Sequence, residues 1–207
     1  MRLELYVVGP VQTNCYFVIN EETNEMIVVD PGSSGKALAQ KAKESGYEPK
    51  AIILTHGHFD HCNGIEDFLS EYDIPVYTYE GERETMENPI YNLSGDMGGE
   101  GCSYHVDYYL KDEQELDIAG FHFRVLATPG HTLGGCCFYF PYEDTLFSGD
   151  TLFQYSVGRT DFPGGSMSTL VHAIKEKLMV LPEKTTVYPG HGDATTIEFE
   201  RMNNPYL

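Results

Sequence analysis

The chain has 207 residues, 41% of them hydrophobic, which is enough to fill one core and too few for two ordinary domains, so a single domain over 1–207 is expected. Thirteen Lys and Arg against 32 Asp and Glu leave a net charge of −19. Such a field repels phosphate backbones and anionic lipid, and no nucleic-acid or membrane partner is expected. With 13% aromatic and only 22% charged residues, the composition is that of a folding chain and not of a disordered one.

In chain order, Leu3 to Val8, Asn14 to Ile19 and Met26 to Val29 read as three strands of an antiparallel meander, the last ending in Asp30-Pro31-Gly32. Ser33 to Gly46 then turns helical, with Ala37, Leu38 and Ala42 on one face. Ala51 to Leu54 is a continuous apolar run of the kind buried on both faces of a sheet. Ile65, Phe68, Leu69 and Tyr72 mark a second helix, and Pro75 to Tyr79 another strand. The stretch from Glu80 to Tyr104, with Gly95, Gly98, Gly99 and Gly101, reads as an irregular, mobile loop over a site. Strands return at Phe121 to Ala127, Cys136 to Phe140 and Thr145 to Phe147. A helix from Met167 to Leu178 stops before Pro182, and a last strand covers Thr185 to Tyr188. The expected architecture is α/β, with two mixed sheets packed between helices.

No apolar run approaches the length of a membrane span, and the amino-terminal stretch lacks the apolar core of a signal peptide. The five cysteines contain no C-x-x-C pair. A cytoplasmic location is expected, with the cysteines serving as small core residues.

The densest chemistry lies in Thr55-His56-Gly57-His58-Phe59-Asp60-His61, directly after an apolar strand. Alternate residues of an extended segment point the same way, so His56, His58 and Asp60 cannot disperse, and the start of the next helix brings in His61. Crowded imidazoles and carboxylates of this kind call for a cation. Three further groups stand at strand ends followed by or containing glycine turns: Thr128-Pro129-Gly130-His131, Ser148-Gly149-Asp150 and Pro189-Gly190-His191. Strand ends at one sheet edge converge, and five histidines with two aspartates exceed what one tetrahedral metal needs. The expected site is therefore two divalent metal ions: His56, His58 and His131 on one, Asp60, His61 and His191 on the other, Asp150 between them. Zinc is expected, with iron or a mixed Fe/Zn pair as the alternative. The absence of cysteine ligands and a ligand count that leaves open positions point to catalysis.

The motif T-H-x-H-x-D-H with His131, Asp150 and His191 resembles that of the metallo-β-lactamase superfamily, over about Tyr6 to Gly192. The resemblance implies an αβ/βα four-layer sandwich, and it implies that Asp30 orients a histidine ligand. Within that superfamily the chain is similar to the hydroxyacylglutathione hydrolases (glyoxalase II), which carry a carboxylate at the position of Asp150 where the best-known β-lactamase subclasses carry cysteine. It resembles the short members, without the carboxy-terminal helical domain of the long form. The resemblance implies a small-molecule thioester, S-lactoylglutathione or a relative, with Arg159 of Gly158-Arg159-Thr160-Asp161-Phe162 as a substrate-binding cation. The same string also resembles persulfide dioxygenases of this fold, which use one iron.

Hydrolysis by a hydroxide held between two metals, with Asp60 as both ligand and orienter, suits a thioester. A leaving thiol with a pKa of about 8.5 needs no general acid, and none stands in the motifs. The alternatives are the mononuclear iron dioxygenase and a non-catalytic, metal-stabilised binding module.

Overall fold

The computed structural model describes residues 1–97 and 101–207. The amino-terminal meander is β1 (Arg2–Val8), β2 (Thr13–Ile19) and β3 (Glu25–Val29), paired antiparallel. Helix α1 (Gly35–Ser45) crosses over to β4 (Glu48–Leu54), which lies parallel to β3. Two short helices follow, α2 (Phe59–Cys62) and α3 (Ile65–Leu69), and then β5 (Val76–Tyr79). After α4 (Arg83–Glu87), β6 (Tyr108–Leu110) completes a six-stranded mixed sheet in the order β1-β2-β3-β4-β5-β6.

The second half continues with β7 (Glu115–Ile118), β8 (Phe121–Ala127), β9 (Cys136–Phe140), β10 (Thr145–Gly149) and a small hairpin of β11 (Leu152–Phe153) and β12 (Ser156–Val157). Helix α5 (Met167–Ala173) runs on through a π-type turn at Ile174–Leu178. Strands β13 (Thr186–Pro189) and β14 (Thr195–Thr196) and helix α6 (Ile197–Asn203) end the chain. The second sheet is also mixed, in the order β14-β13-β10-β9-β8-β7.

Period-two alternation builds the layers. On β2, Tyr16 and Val18 face the other sheet and pack with Phe123, Phe138 and Phe140, while Phe17 and Ile19 face α1 and α3 beside Leu38 and Phe68. On β9, Phe138 turns inward and Cys137 and Tyr139 turn outward, to Leu170, Ile174 and Leu178. The result is helix, sheet, sheet, helix: the four-layer arrangement expected from the motif.

Four sequence expectations change. The segment from Glu80 to Tyr104 is only partly irregular over its described part: it holds a 3₁₀ turn (Glu80–Glu82), α4 and a second 3₁₀ turn (Ser94–Met97), and Glu82 within it is wholly buried, whereas 88–93 and 101–104 form no helix or strand. Its Gly98 and Gly99 lie outside the described residues. The strands β6 and β7 escape a sequence reading because edge strands of three or four residues carry too little alternation to stand out. Helix α1 begins at Gly35, after Ser34, whose φ of 58° is left-handed and whose side chain makes no cap bond. Cys15, Cys62, Cys136 and Cys137 are buried as expected of small core residues, but Cys102 is exposed. No helix among the described residues is long and apolar enough to cross a membrane.

Candidate metal centre

Four strands end at one edge of the sandwich. β4 delivers Thr55 to His58 and α2 supplies Asp60 and His61. β8 delivers His131, β10 delivers Asp150 and β13 delivers His191. β8, β10 and β13 point the same way, because β9 is antiparallel to both β8 and β10 and β13 is parallel to β10. Their following turns therefore meet, and the structure brings all seven expected residues together in three overlapping groups whose ligand atoms lie within 4.8 Å of one another: His56, His58 and His131; His56, His61 and Asp150; Asp60, His61 and His191.

The atoms are spaced as a coordination shell would space them. A tetrahedral metal with bonds of about 2.0–2.1 Å sets its ligand atoms roughly 3.3–3.4 Å apart. His56 Nε2 and His131 Nε2 stand 3.2 and 3.0 Å from His58 Nδ1. On the other side, Asp60 Oδ2 lies 3.5 Å from His61 Nε2 and 3.3 Å from His191 Nε2. Asp150 faces both groups, with Oδ1 3.5 Å from His61 Nε2 and Oδ2 3.5 Å from His131 Nε2 and 3.6 Å from His191 Nε2. His61 Nε2 and Asp150 Oδ1 are buried without a hydrogen-bond partner, a cost that folding seldom leaves uncompensated unless an ion completes the site.

The protonation states agree. Burial, reinforced by His61 and His58, pushes the His56 imidazole well below its ordinary range; burial and then His131 bring His58 down to about 3. Both rings are neutral near pH 7 and offer lone pairs. Burial opposes ionisation of Asp150, yet His61, His131 and His191 outweigh it and hold the carboxyl at about 2. Asp60 is likewise opposed by burial and lowered by His61, by His191 and by the Thr13 hydroxyl. Burial also opposes charge on His61, but Asp60, Asp150 and Asp30 together raise it well above its usual range. Carboxylates that draw a proton into a buried site draw a divalent cation for the same reason.

The supporting contacts explain how the ligand atoms are aimed. Asp30 accepts from Thr55 N (2.8 Å), Thr55 Oγ1 (2.6 Å) and His61 Nδ1 (2.9 Å), the orienting role that the resemblance implies. Thr13 Oγ1 donates to Asp60 Oδ2 at 2.8 Å. Asn14 and Tyr16 donate to the Pro189 carbonyl and hold the turn before His191. Gly190 permits the close approach of that turn: a Cβ there would lie 2.3 Å from Asp150 Oδ1 and 2.6 Å from His61 Cε1. Thr13, Asn14 and Tyr16 carry no motif, and nothing in the sequence marks them.

A cavity of about 440 Å³ opens over the cluster, walled by Val11, Phe59, Leu93, Phe153, Val157 and Phe162. Among the described residues, its polar lining outside the histidines and aspartates is Ser156 and Arg159. Arg159 reaches the cavity, but its guanidinium is held by two 2.7 Å bonds to Asp161 and stacks on Phe162 at 4.0 Å. Its backbone carbonyl accepts from His131 Nδ1 at 2.7 Å. Part of its contribution to the site is therefore to aim a ligand. A second groove of about 520 Å³ beside Glu80, Glu84 and Glu87 lies apart from the histidines.

Fold and site together define a metallo-hydrolase, and the match to known families agrees. Residues 8–191 match the metallo-beta-lactamase superfamily, and the chain belongs to it. A probable metallo-hydrolase of Bacillus subtilis, YqgX, is 41% identical over 208 residues, covering 100% of this chain and 98% of that protein. Hydroxyacylglutathione hydrolase GloC of Haemophilus influenzae is 34% identical over 213 residues, covering 100% and 98%. Among solved structures, BLEG-1 B3 metallo-beta-lactamase superposes with a TM-score of 0.93 at 40% identity, covering 100% and 99%. TTHA1623 in a di-iron-bound form gives 0.84 at 35%, covering 99% and 100%.

Proposed function

We propose that this metal-dependent hydrolase cleaves a thioester, S-lactoylglutathione or a related hydroxyacyl thioester, at a two-cation centre. His56, His58 and His131 would hold one cation, Asp60, His61 and His191 the other, with Asp150 shared. When bound, divalent cations of this kind lower the pKa of a coordinated water from 15.7 to about 7 and polarise the substrate carbonyl. The chain's own residues do the rest. Asp60, ionised and fixed by Thr13, orients the attacking water. Phe59, Phe153 and Phe162 exclude bulk water from the reacting group.

The observation that carries the thioester is the lining of the cavity, which among the described residues holds no proton donor for a leaving group outside the metal cluster: Ser156 is a neutral hydroxyl, and Asp161 raises the Arg159 guanidinium above its already high value. An amine or alkoxide leaving group needs a proton, whereas a thiolate with a pKa of about 8.5 departs without one. The likeness to GloC supports the same reading. The likeness to BLEG-1 favours β-lactam cleavage as the second reading.

The test is release of free thiol from S-lactoylglutathione and from a lactoyl thioester of N-acetylcysteamine, beside a chromogenic cephalosporin and an oxygen electrode with glutathione persulfide. Turnover of either thioester at least 100-fold above that of the cephalosporin is expected. Ring opening of the cephalosporin alone, or oxygen uptake with one iron per chain, would overturn the thioester reading.

A further inference from the structure

Glu82 is wholly buried and lies outside every motif that the metal site uses. Its Oε2 accepts from Gly57 N at 2.8 Å; its Oε1 accepts from Thr132 Oγ1 at 2.6 Å and from Gly134 N at 2.8 Å. Gly57 is the residue between His56 and His58, and Thr132 follows His131. One carboxylate thus joins two turns that are more than seventy positions apart in the chain, and both turns present nitrogens to the same triad.

The turns have no slack. The backbone of Gly134 packs on that of Gly81, where a Cβ would lie 2.0 Å from the Gly81 carbonyl carbon. The Thr132 hydroxyl also accepts from Gly135 N at 3.0 Å, which extends the anchored stretch. The other ligands are held by different groups: His61 by Asp30, Asp60 by Thr13, and the His191 turn by Asn14 and Tyr16. Glu82 thus reaches the turns of the His56, His58 and His131 triad alone, whereas Asp30 serves His61 directly and His56 through Thr55.

We propose that Glu82 is a positioning residue that clasps the His56–His58 turn to the His131 turn and so sets the affinity of one of the two cation positions. The inference rests on the two-cation reading above. A buried carboxylate with three donors costs desolvation that the core would not need if its task were packing alone. Groups that aim ligands in this way are worth 10–100-fold in metal affinity.

The experiment titrates metal-free wild type, Glu82→Gln and Thr132→Val with zinc or ferrous iron, reading stepwise affinities and the thermal midpoint of each metal-free protein. Glu82→Gln keeps the shape but turns an amide N–H toward a donor. One equivalent is expected to bind as in wild type and the other about 10–100-fold more weakly. Thr132→Val, which removes one donor, should weaken the same equivalent by a smaller factor. Wild-type affinity for both equivalents in Glu82→Gln would overturn the clasp. So would an equal loss at both positions together with a lowered metal-free midpoint, because that is the mark of a merely structural residue. A wild type that holds fewer than two equivalents overturns the two-cation reading instead, a failure visible before either variant is compared.

Discussion

Asp150 is the side chain whose oxygens face nitrogens from both halves of the cluster, which makes its removal the sharpest single-residue test. Asp150→Ala should lose well over the 10–100-fold typical of outer-shell changes, with a fall in bound metal and a far-ultraviolet circular dichroism spectrum like that of wild type. The fold survives because its core consists of the apolar strands and not of the site. Arg159 behaves differently: its guanidinium is already paired with Asp161 and is more than half exposed, and an exposed ion pair contributes only about 0–1 kcal/mol. Arg159→Ala should raise KM for a glutathione thioester by about fivefold at most and leave kcat nearly unchanged, since the contact to His131 is made by the backbone carbonyl. Steady-state kinetics on both thioesters decides it. Gly190→Ala should cost metal affinity despite its small size, because the added carbon falls on Asp150 and His61. Elemental analysis of that variant is the readout.

Helix α5 covers the outer face of the second sheet through Leu170, with Ile174 and Leu178 beyond it. Its first turn is capped by the Ser166 hydroxyl, which accepts from Thr169 N. Ser166→Ala should destabilise the protein by about 1 kcal/mol, lowering the thermal midpoint by a few degrees, with catalysis untouched. Elements of this length and pattern were legible in the sequence. The apolar runs Ala51 to Leu54 and Cys136 to Phe140 read as buried strands from their shortness and flanking turns, and the apolar spacing of α5 reads as a helix face. The short edge strands and the small helices from Glu80 onward were not, because three to five residues define no period. Their conformations follow from what packs against them.

Across the whole molecule, each half of the site draws residues from both sheets, His56, His58, Asp60 and His61 following β4 and His131, Asp150 and His191 following β8, β10 and β13, so bound cations would link the sandwich. Protein purified without chelator should carry close to two metal equivalents by elemental analysis. A ligand at 100 times its dissociation constant stabilises a fold by about 2.7 kcal/mol, so stripping the metal should lower the thermal midpoint by roughly 5–10 °C. No change on chelation would mean that the cluster does not hold cations in the folded protein.

The seven residues that converge were readable from one sequence, because each of them sits in a short string of fixed local geometry: a strand end, a glycine or an alternation, then the histidine or aspartate. Local geometry determines which way such a residue can point, and strand ends at one edge leave few places to converge. Glu82, Thr13, Asn14 and Tyr16 follow no such rule. Each acts on a residue more than twenty positions away, and nothing in its own neighbourhood distinguishes it from a solvated glutamate or a strand residue. The pairing of Arg159 with Asp161 was no more legible: Thr160 separates them in the sequence, and only the folded backbone turns the two side chains toward each other. Residue type and local period decide chemistry and layer, whereas hydrogen bonds between distant turns form only once the layers have packed.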